Sequence, residues 1–261
     1  MQDVALITGA ISWIGRQLAI IHAKNGWNLV LIARRKSILQ ELQKDLEKQY
    51  KVNVTILAKD LLKPNAAQEV YDFVKQEKLD IEYLVNNAWF GGIGKFHERE
   101  WQNDKDMITL NITVLTELTR LFLPDFIERG SGRILQVSST ASFLPGPMQA
   151  VYYATKAYVQ SFSNALSGEL LDSNITVTNL MPWATATEFG KISGMDKTSL
   201  FNTTASANSV AQDWYNAMMD GKIDVISWLS FIQKTMMYLL PFIPKKIILK
   251  QVYDMQQQTK K

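Results

Sequence analysis

The chain has 261 residues, with 28 basic and 25 acidic side chains, two histidines and no cysteine, which excludes disulfides and thiolate-bound zinc. The formal net charge of +3 is spread thinly, so the dense basic face of a nucleic-acid binder is excluded as well. The length suits one α/β domain with a large core, and a single domain over residues 1–261 is expected. Asp3 precedes a short apolar run that ends at Thr8. With no basic stretch ahead of that run and no small-residue cleavage site, the start reads as a mature strand and the protein as cytoplasmic.

Short Val/Ile/Leu-rich runs follow one another at Val4–Thr8, Asn28–Ala33, Val52–Ala58, Ile81–Asn86, Arg133–Ser138 and Ile175–Met181. Their nearly continuous apolar character predicts strands covered on both faces. Helix-sized segments lie between them at Ile14–Asn25, Ser37–Tyr50, Ala66–Lys78, Lys105–Arg129 and Tyr152–Asp172. The alternation implies an α/β fold, a doubly wound parallel sheet with helices on both faces and right-handed crossovers. Ligands of such sheets bind outside the carboxyl ends of the strands. Toward the end, 224–261 forms an apolar C-terminal extension in which Asp224–Ile243 is rich in Ile, Leu, Met, Phe and Trp. Gln233, Lys234 and Pro241 interrupt it, which argues against a membrane span. A packed helix pair is the plain reading; an apolar lid, or a face resting on a membrane beside Lys245 and Lys246, is the sharper one.

The first strand runs into Thr8-Gly9-Ala10-Ile11-Ser12-Trp13-Ile14-Gly15 and then a helix, the context of a dinucleotide-binding turn whose amides and helix N-terminus face a pyrophosphate. The second strand ends in Arg34-Arg35 with no acid for a ribose 2′-hydroxyl. An arginine fork suits a 2′-phosphate, so NADP(H) is the expected cofactor. Tyr152 and Lys156 stand four apart, which puts phenol and ammonium on one helix face. A nearby positive charge lowers a phenol's pKa, and Tyr152 is then an acid or base for a carbonyl/hydroxyl pair. Ser139, at the end of the fifth strand, is placed to hydrogen-bond the same oxygen; Ser138 is its rival, and only spacing favours Ser139.

These residues, with Asn86-Asn87-Ala88, Asn111, the run Tyr152-Tyr153-Ala154-Thr155-Lys156, and Pro182 with Thr185 and Thr187, together resemble the short-chain dehydrogenase/reductase family over about residues 3 to 190. The resemblance implies a Rossmann-like fold, a nicotinamide cofactor and a catalytic tetrad of Asn111, Ser139, Tyr152 and Lys156. It further implies that Lys156 binds the nicotinamide ribose and Asn111 holds a relay water. Asp60 and Leu61 would flank the adenine, Asn87 and Ala88 would lie along the cofactor ribose, and Gly9, Ser12, Ile14, Gly15, Pro182, Thr185 and Thr187 would complete the cofactor site. The family also implies a homodimer or homotetramer, and a substrate loop at 184–206.

Three tryptophans depart from the family's pattern. Trp13, Trp89 and Trp183 stand where the family carries glycine, and all three positions border the cofactor. Glycine there permits unusual backbone angles and close approach to the pyrophosphate, whereas an indole brings roughly 200 Å² of side chain. Three substitutions to one residue, in a chain with only seven tryptophans, suggest a codon read as tryptophan that its source decodes as glycine. Trp214 and Trp228 are further positions of this kind. Taken literally, the sequence instead describes a cofactor-blocked pseudoenzyme or scaffold.

Gly91, Gly92 and Gly94 read as a flexible pocket rim. His22 and His97 lack a third ligand, so no metal site is expected, and a serine hydrolase is excluded by the missing G-x-S-x-G elbow. The expected function is NADP(H)-dependent interconversion of a carbonyl and an alcohol on a hydrophobic small molecule.

Overall fold

The structure, a computed structural model, describes residues 3–183, 207–227 and 229–257. The chain alternates β1 (Val4–Thr8), α1 (Trp13–Lys24), β2 (Asn28–Ala33), α2 (Lys36–Tyr50), β3 (Val54–Ala58), α3 (Ala66–Gln76) and β4 (Ile81–Asn86). There follow α4 (Trp101–Ile108), a π-helical stretch (Thr109–Val114), α5 (Leu115–Arg129), β5 (Gly132–Val137), α6 (Ala150–Glu169) and β6 (Ile175–Pro182). Beyond these lie α7 (Ala207–Met219), β7 (Asp224–Ser227), α8 (Phe231–Leu239) and α9 (Lys245–Gln256).

Among the described residues the strands form one sheet in the order β3-β2-β1-β4-β5-β6-β7, every neighbouring pair parallel. Alternate strand residues feed two cores. Ala5, Ile7, Leu29, Leu31, Val85 and Leu135 pack under α1, α2 and α7, while Leu6, Val30, Ile32, Leu84, Ile134 and Val177 pack under α3 and α5. Burial on both faces is why the strands read as unbroken apolar runs. The order reverses beside β1, with β2 on one side and β4 on the other, and this opens a crevice at the strands' carboxyl ends.

Two expectations need correction. A seventh strand lies within the stretch read as a helix pair: Asp224–Ser227 pairs with Asn179–Pro182. Four residues are too few for periodicity to separate strand from helix, and a long neighbouring strand supplies the partner. The helix expected from Lys105 begins at Trp101 and passes through π-helical Thr109–Val114. Such an insertion has no signature in hydrophobic periodicity.

Candidate active site

The turn after β1 is built by close approach. Gly9 adopts a φ of +64°, and a Cβ at Gly15 would stand 2.3 Å from the Gly9 carbonyl oxygen, so only glycine allows α1 to start this near the strand. Ser12 caps α1 by accepting from the Gly15 amide at 3.2 Å. Asn87 ties the turn to the end of β4: its Nδ2 donates to the Thr8 and Gly9 carbonyls and the Ser12 hydroxyl at 3.0, 3.3 and 3.2 Å. Thr8 Oγ1 in turn accepts from the Asn87 and Ala88 amides, each at 3.0 Å. Ile14 is buried in the core beneath the turn. What stays exposed is a helix N-terminus with its first amides, the geometry that receives an anion.

Arg34 is exposed immediately after β2. Asp60 Oδ1 accepts from the Leu62 amide at 3.1 Å, which holds the turn after β3, and Leu61 is buried against the α3 side of the sheet. Pro182 ends β6, its carbonyl accepting from Thr140 Oγ1 at 3.3 Å. Thr185, Thr187, the loop 184–206 and Trp228 lie outside the described residues.

The proton-transfer candidates meet at the start of α6. Tyr152 is 4% and Lys156 1% exposed. Ser139 is hydrogen-bonded to the Tyr152 phenol and also accepts from the Ala141 amide at 3.1 Å. Ser138, the rival, donates instead to the Lys156 backbone carbonyl at 2.8 Å, where it pins α6 to β5. Tyr153 turns away from Lys156 and accepts from Gln256 Nε2 at 2.7 Å. Lys156 Nζ donates to the Val137 carbonyl at 2.8 Å.

Burial dominates the electrostatics here. It pushes the Tyr152 phenol above its usual range, with the Ser139 hydrogen bond pulling the other way, and it draws the Lys156 ammonium well below its ordinary value. The sequence suggested that Lys156 lowers the phenol's pKa. In the structure Nζ lies 5.8 Å from the Tyr152 ring centre, and desolvation, opposed by the Ser139 hydrogen bond, decides the direction of the shift. The phenol therefore keeps its proton near neutrality, as a proton donor needs.

Asn111, in the π-helical stretch, is occupied by structure. Its Nδ2 donates to the Phe90 carbonyl at 2.9 Å and to Thr155 Oγ1 at 3.1 Å, and its Oδ1 accepts from the Phe90 amide at 3.2 Å. It thus clamps the loop after β4, and the residue before Phe90 is Trp89. The Trp89 indole lies over the Lys156 ammonium, 4.3 Å from Nζ to the ring centre, with its ring 6.1 Å from that of Tyr152.

The other departures behave differently. Trp13 is 54% exposed, and Trp183 is half-buried. Positions 13, 89 and 183 are absent from the left-handed backbone region, so the angular reason for glycine does not apply at them and side-chain volume is what matters. Trp214 is fully buried, donating to Ser227 Oγ at 2.6 Å; the fold holds an indole there as part of its core.

Several contributors lie outside the sequence reading. Arg99 pairs with buried Asp104 at 2.8 Å and donates to the Ile93 carbonyl at 3.0 Å. A Cβ on Gly92 would meet that guanidinium at 2.6 Å. The expected flexible rim is in fact clamped. Gln149, three residues before Tyr152, is buried with neither side-chain atom hydrogen-bonded, and it lines a crevice with Tyr152, Met107 and Gly92. An unpaired buried amide is costly, and its position in the sequence was the available signal.

At the turn, Gly9 packs against the Ala88 backbone and Gly15 against the Gly9 carbonyl, which sets the start of α1 at the end of β1 as a pyrophosphate-binding turn requires. At the Lys156 end the Trp89 indole lies over the ammonium.

The short chain dehydrogenase family profile matches residues 3–197, and the chain belongs to this family. It is 34% identical over 198 residues to a very-long-chain 3-oxoacyl-CoA reductase of Anas platyrhynchos, covering 72% of this chain and 62% of the relative. Its human counterpart is also 34% identical, over 199 residues, with 72% and 61% covered. The chain thus spans about six-tenths of the length of these relatives. A short-chain dehydrogenase from Sphingobium yanoikuyae, solved with NADPH, superposes with a TM-score of 0.82 at 30% identity, covering 93% of this chain and 97% of that one. A bulky-bulky ketone specific alcohol dehydrogenase from Comamonas testosteroni gives 0.77 at 27%, covering 93% and 95%.

Proposed function

We propose that this short-chain dehydrogenase/reductase is an NADP(H)-dependent reductase of ketones on hydrophobic, acyl-like substrates. The observation that carries the reading is the buried Ser139–Tyr152–Lys156 group, in which Ser139 is hydrogen-bonded to the Tyr152 phenol. Gly9, Ser12 and Gly15 would hold the pyrophosphate, Arg34 the 2′-phosphate, Asn87 and Ala88 the adjoining sugar, and Lys156 the nicotinamide ribose. When bound, the nicotinamide supplies the hydride. Ser139 orients the substrate oxygen, and Tyr152 gives it a proton as the carbonyl becomes an alcohol. The hydrophobic substrate class is supported by Met107, Ile248 and Val252, which pack around Tyr152, and by the names of the relatives, which act on very-long-chain 3-oxoacyl-CoA. NADP(H) is supported by Arg34 and by the NADPH complex of the Sphingobium yanoikuyae enzyme.

The test is turnover of NADPH with 3-oxoacyl thioesters of increasing chain length and with bulky ketones. Tyr152→Phe is expected to remove turnover by at least two orders of magnitude while leaving NADPH affinity within about twofold, because the phenol's hydroxyl serves the substrate oxygen. Unchanged turnover would take Tyr152 out of proton transfer.

A second reading, a cofactor-blocked binding protein of the same fold, is favoured by Trp89 over Lys156. It predicts no NADPH binding by the tryptophan-containing chain. Glycine decoding at positions 13, 89 and 183 would clear the site, and the intact mass of the protein from its own cells reads which residue is inserted.

A further inference from the structure

From Val225 to Tyr253 the chain carries four lysines, Lys234, Lys245, Lys246 and Lys250, and no acidic residue. The same stretch holds six exposed large apolar side chains, among them Phe242, the most exposed among the described residues. Ile232, Met236 and Leu239 lie at helical spacing along α8, and all three are exposed, Ile232 at 72%. Phe242 follows at 83%, then Ile243 and, at the start of α9, Ile247. Lys245, Lys246 and Lys250 are exposed beside them, and none of the three forms an ion pair among the described residues. A solvated helix would place polar residues where Ile232, Met236 and Leu239 stand. Scattered exposed apolar residues need no explanation, but six within residues 232–247 do.

We propose that α8, the turn at Phe242 and α9 form an interfacial surface that rests on an anionic lipid bilayer. Charge decides the occupant. A second copy docking through the same face would bring two groups of four lysines together, with only Asp254 near the end of α9 as a carboxylate in each. An anionic headgroup layer instead receives the lysines while the acyl boundary takes the phenyl and aliphatic side chains. No helix among the described residues is long and apolar enough to cross a membrane, so the contact lies in the interface plane. The inner face of α9 adds a reason for the arrangement: Ile248 and Val252 pack with Met107, Tyr152 and Tyr153. One helix thus separates the bilayer surface from the phenol. Delivery of a lipid-borne ketone past this helix rests on the reductase reading above; the binding itself does not.

The experiment is vesicle flotation of the full chain, without cofactor or substrate, so its outcome is separate from that of any turnover assay. Phosphatidylcholine vesicles containing phosphatidylserine are compared with phosphatidylcholine alone. Binding is expected to the anionic vesicles and to weaken in high salt. Lys245→Ala with Lys246→Ala should lower the anionic partition coefficient roughly 25-fold, about fivefold per lysine near a charged surface. Phe242→Ser should weaken binding to both vesicle types. These side chains are exposed, so unchanged thermal stability certifies the variants. Absence of anionic vesicle binding, or binding indifferent to both substitutions, overturns the proposal. So does a dimer that Phe242→Ser dissociates in a chain that ignores vesicles, which would assign the face to a second copy.

Discussion

If Lys156 binds the nicotinamide ribose as proposed, the Trp89 indole and that ribose would compete for the same ammonium. Lys156 is buried and donates to the Val137 carbonyl, and the Trp89 π face lies over it. A desolvated cation–π contact of this kind contributes about 2 kcal/mol, and a cofactor that displaces it forgoes roughly a thirtyfold share of its affinity. Trp89→Gly is therefore expected to tighten NADPH binding by at least that factor in a fluorescence or calorimetric titration. Trp13→Gly, at an exposed position at the head of α1, should change it less than about threefold, because exposed substitutions are usually within 0.5 kcal/mol of neutral. Equal affinities for Trp89→Gly and the parent chain would mean that the indole is not in the cofactor's way. Asn111 belongs to the same balance, since its grip on both backbone groups of Phe90 holds the adjacent indole in place.

At the scale of elements, α9 is the piece whose docking reaches the chemistry. Ile248, Val252 and Gln256 recur every four residues along its inner face, and Gln256 reaches Tyr153 across the interface. Ile248→Ala is expected to cost about 2 to 4 kcal/mol in urea unfolding, the usual range for truncating a buried aliphatic side chain, and to speed proteolysis within 229–257. A loss under 1 kcal/mol would show that α9 leaves the core at little cost. The sequence could not reveal this docking, because the apolar pattern of 224–261 is shared between a buried inner face and an exposed outer one. The central strands were legible for the opposite reason, since burial on both faces writes itself as a continuous apolar run. Strand β7 was hidden by its brevity. In the candidate site, motif spacing singled out Tyr152, Lys156 and Asn87, but direction had to come from packing. Ser138 and Ser139 are adjacent and chemically identical, and only the fold turns one toward the Lys156 backbone and the other toward the phenol. The position of Trp89 was conspicuous in the sequence, yet its resting place on Lys156 depends on a side-chain direction that spacing does not encode.

For the molecule as a whole, acid stability hangs on a histidine that motif reading set aside. His22 is completely buried on α1, edge-on to Tyr83 of β4 and Tyr215 of α7 with ring centres 5.8 and 5.0 Å away. It therefore sits where helices of one layer meet the sheet. Its Nδ1 is 2.8 Å from the Leu18 carbonyl and Nε2 is without a hydrogen-bond partner, which fixes a neutral ring with the proton on Nδ1. Burial lowers its pKa from 6.5 to about 4, against a smaller raising effect of the Leu18 carbonyl. The unfolded chain binds this proton near pH 6.5 and the folded chain does not until about pH 4, so the unfolded state gains protons first as the pH falls. The contribution is whole above pH 6.5 and is lost progressively as the pH falls, the loss reaching roughly 3 kcal/mol by about pH 4. For a domain with a typical stability of about 5 to 15 kcal/mol that is a substantial share. Urea unfolding from pH 7.5 to 4 should show this loss, and His22→Asn, which keeps a donor for Leu18 without a titrating ring, should flatten that part of the profile. A variant as acid-sensitive as the parent would place the titration in other groups.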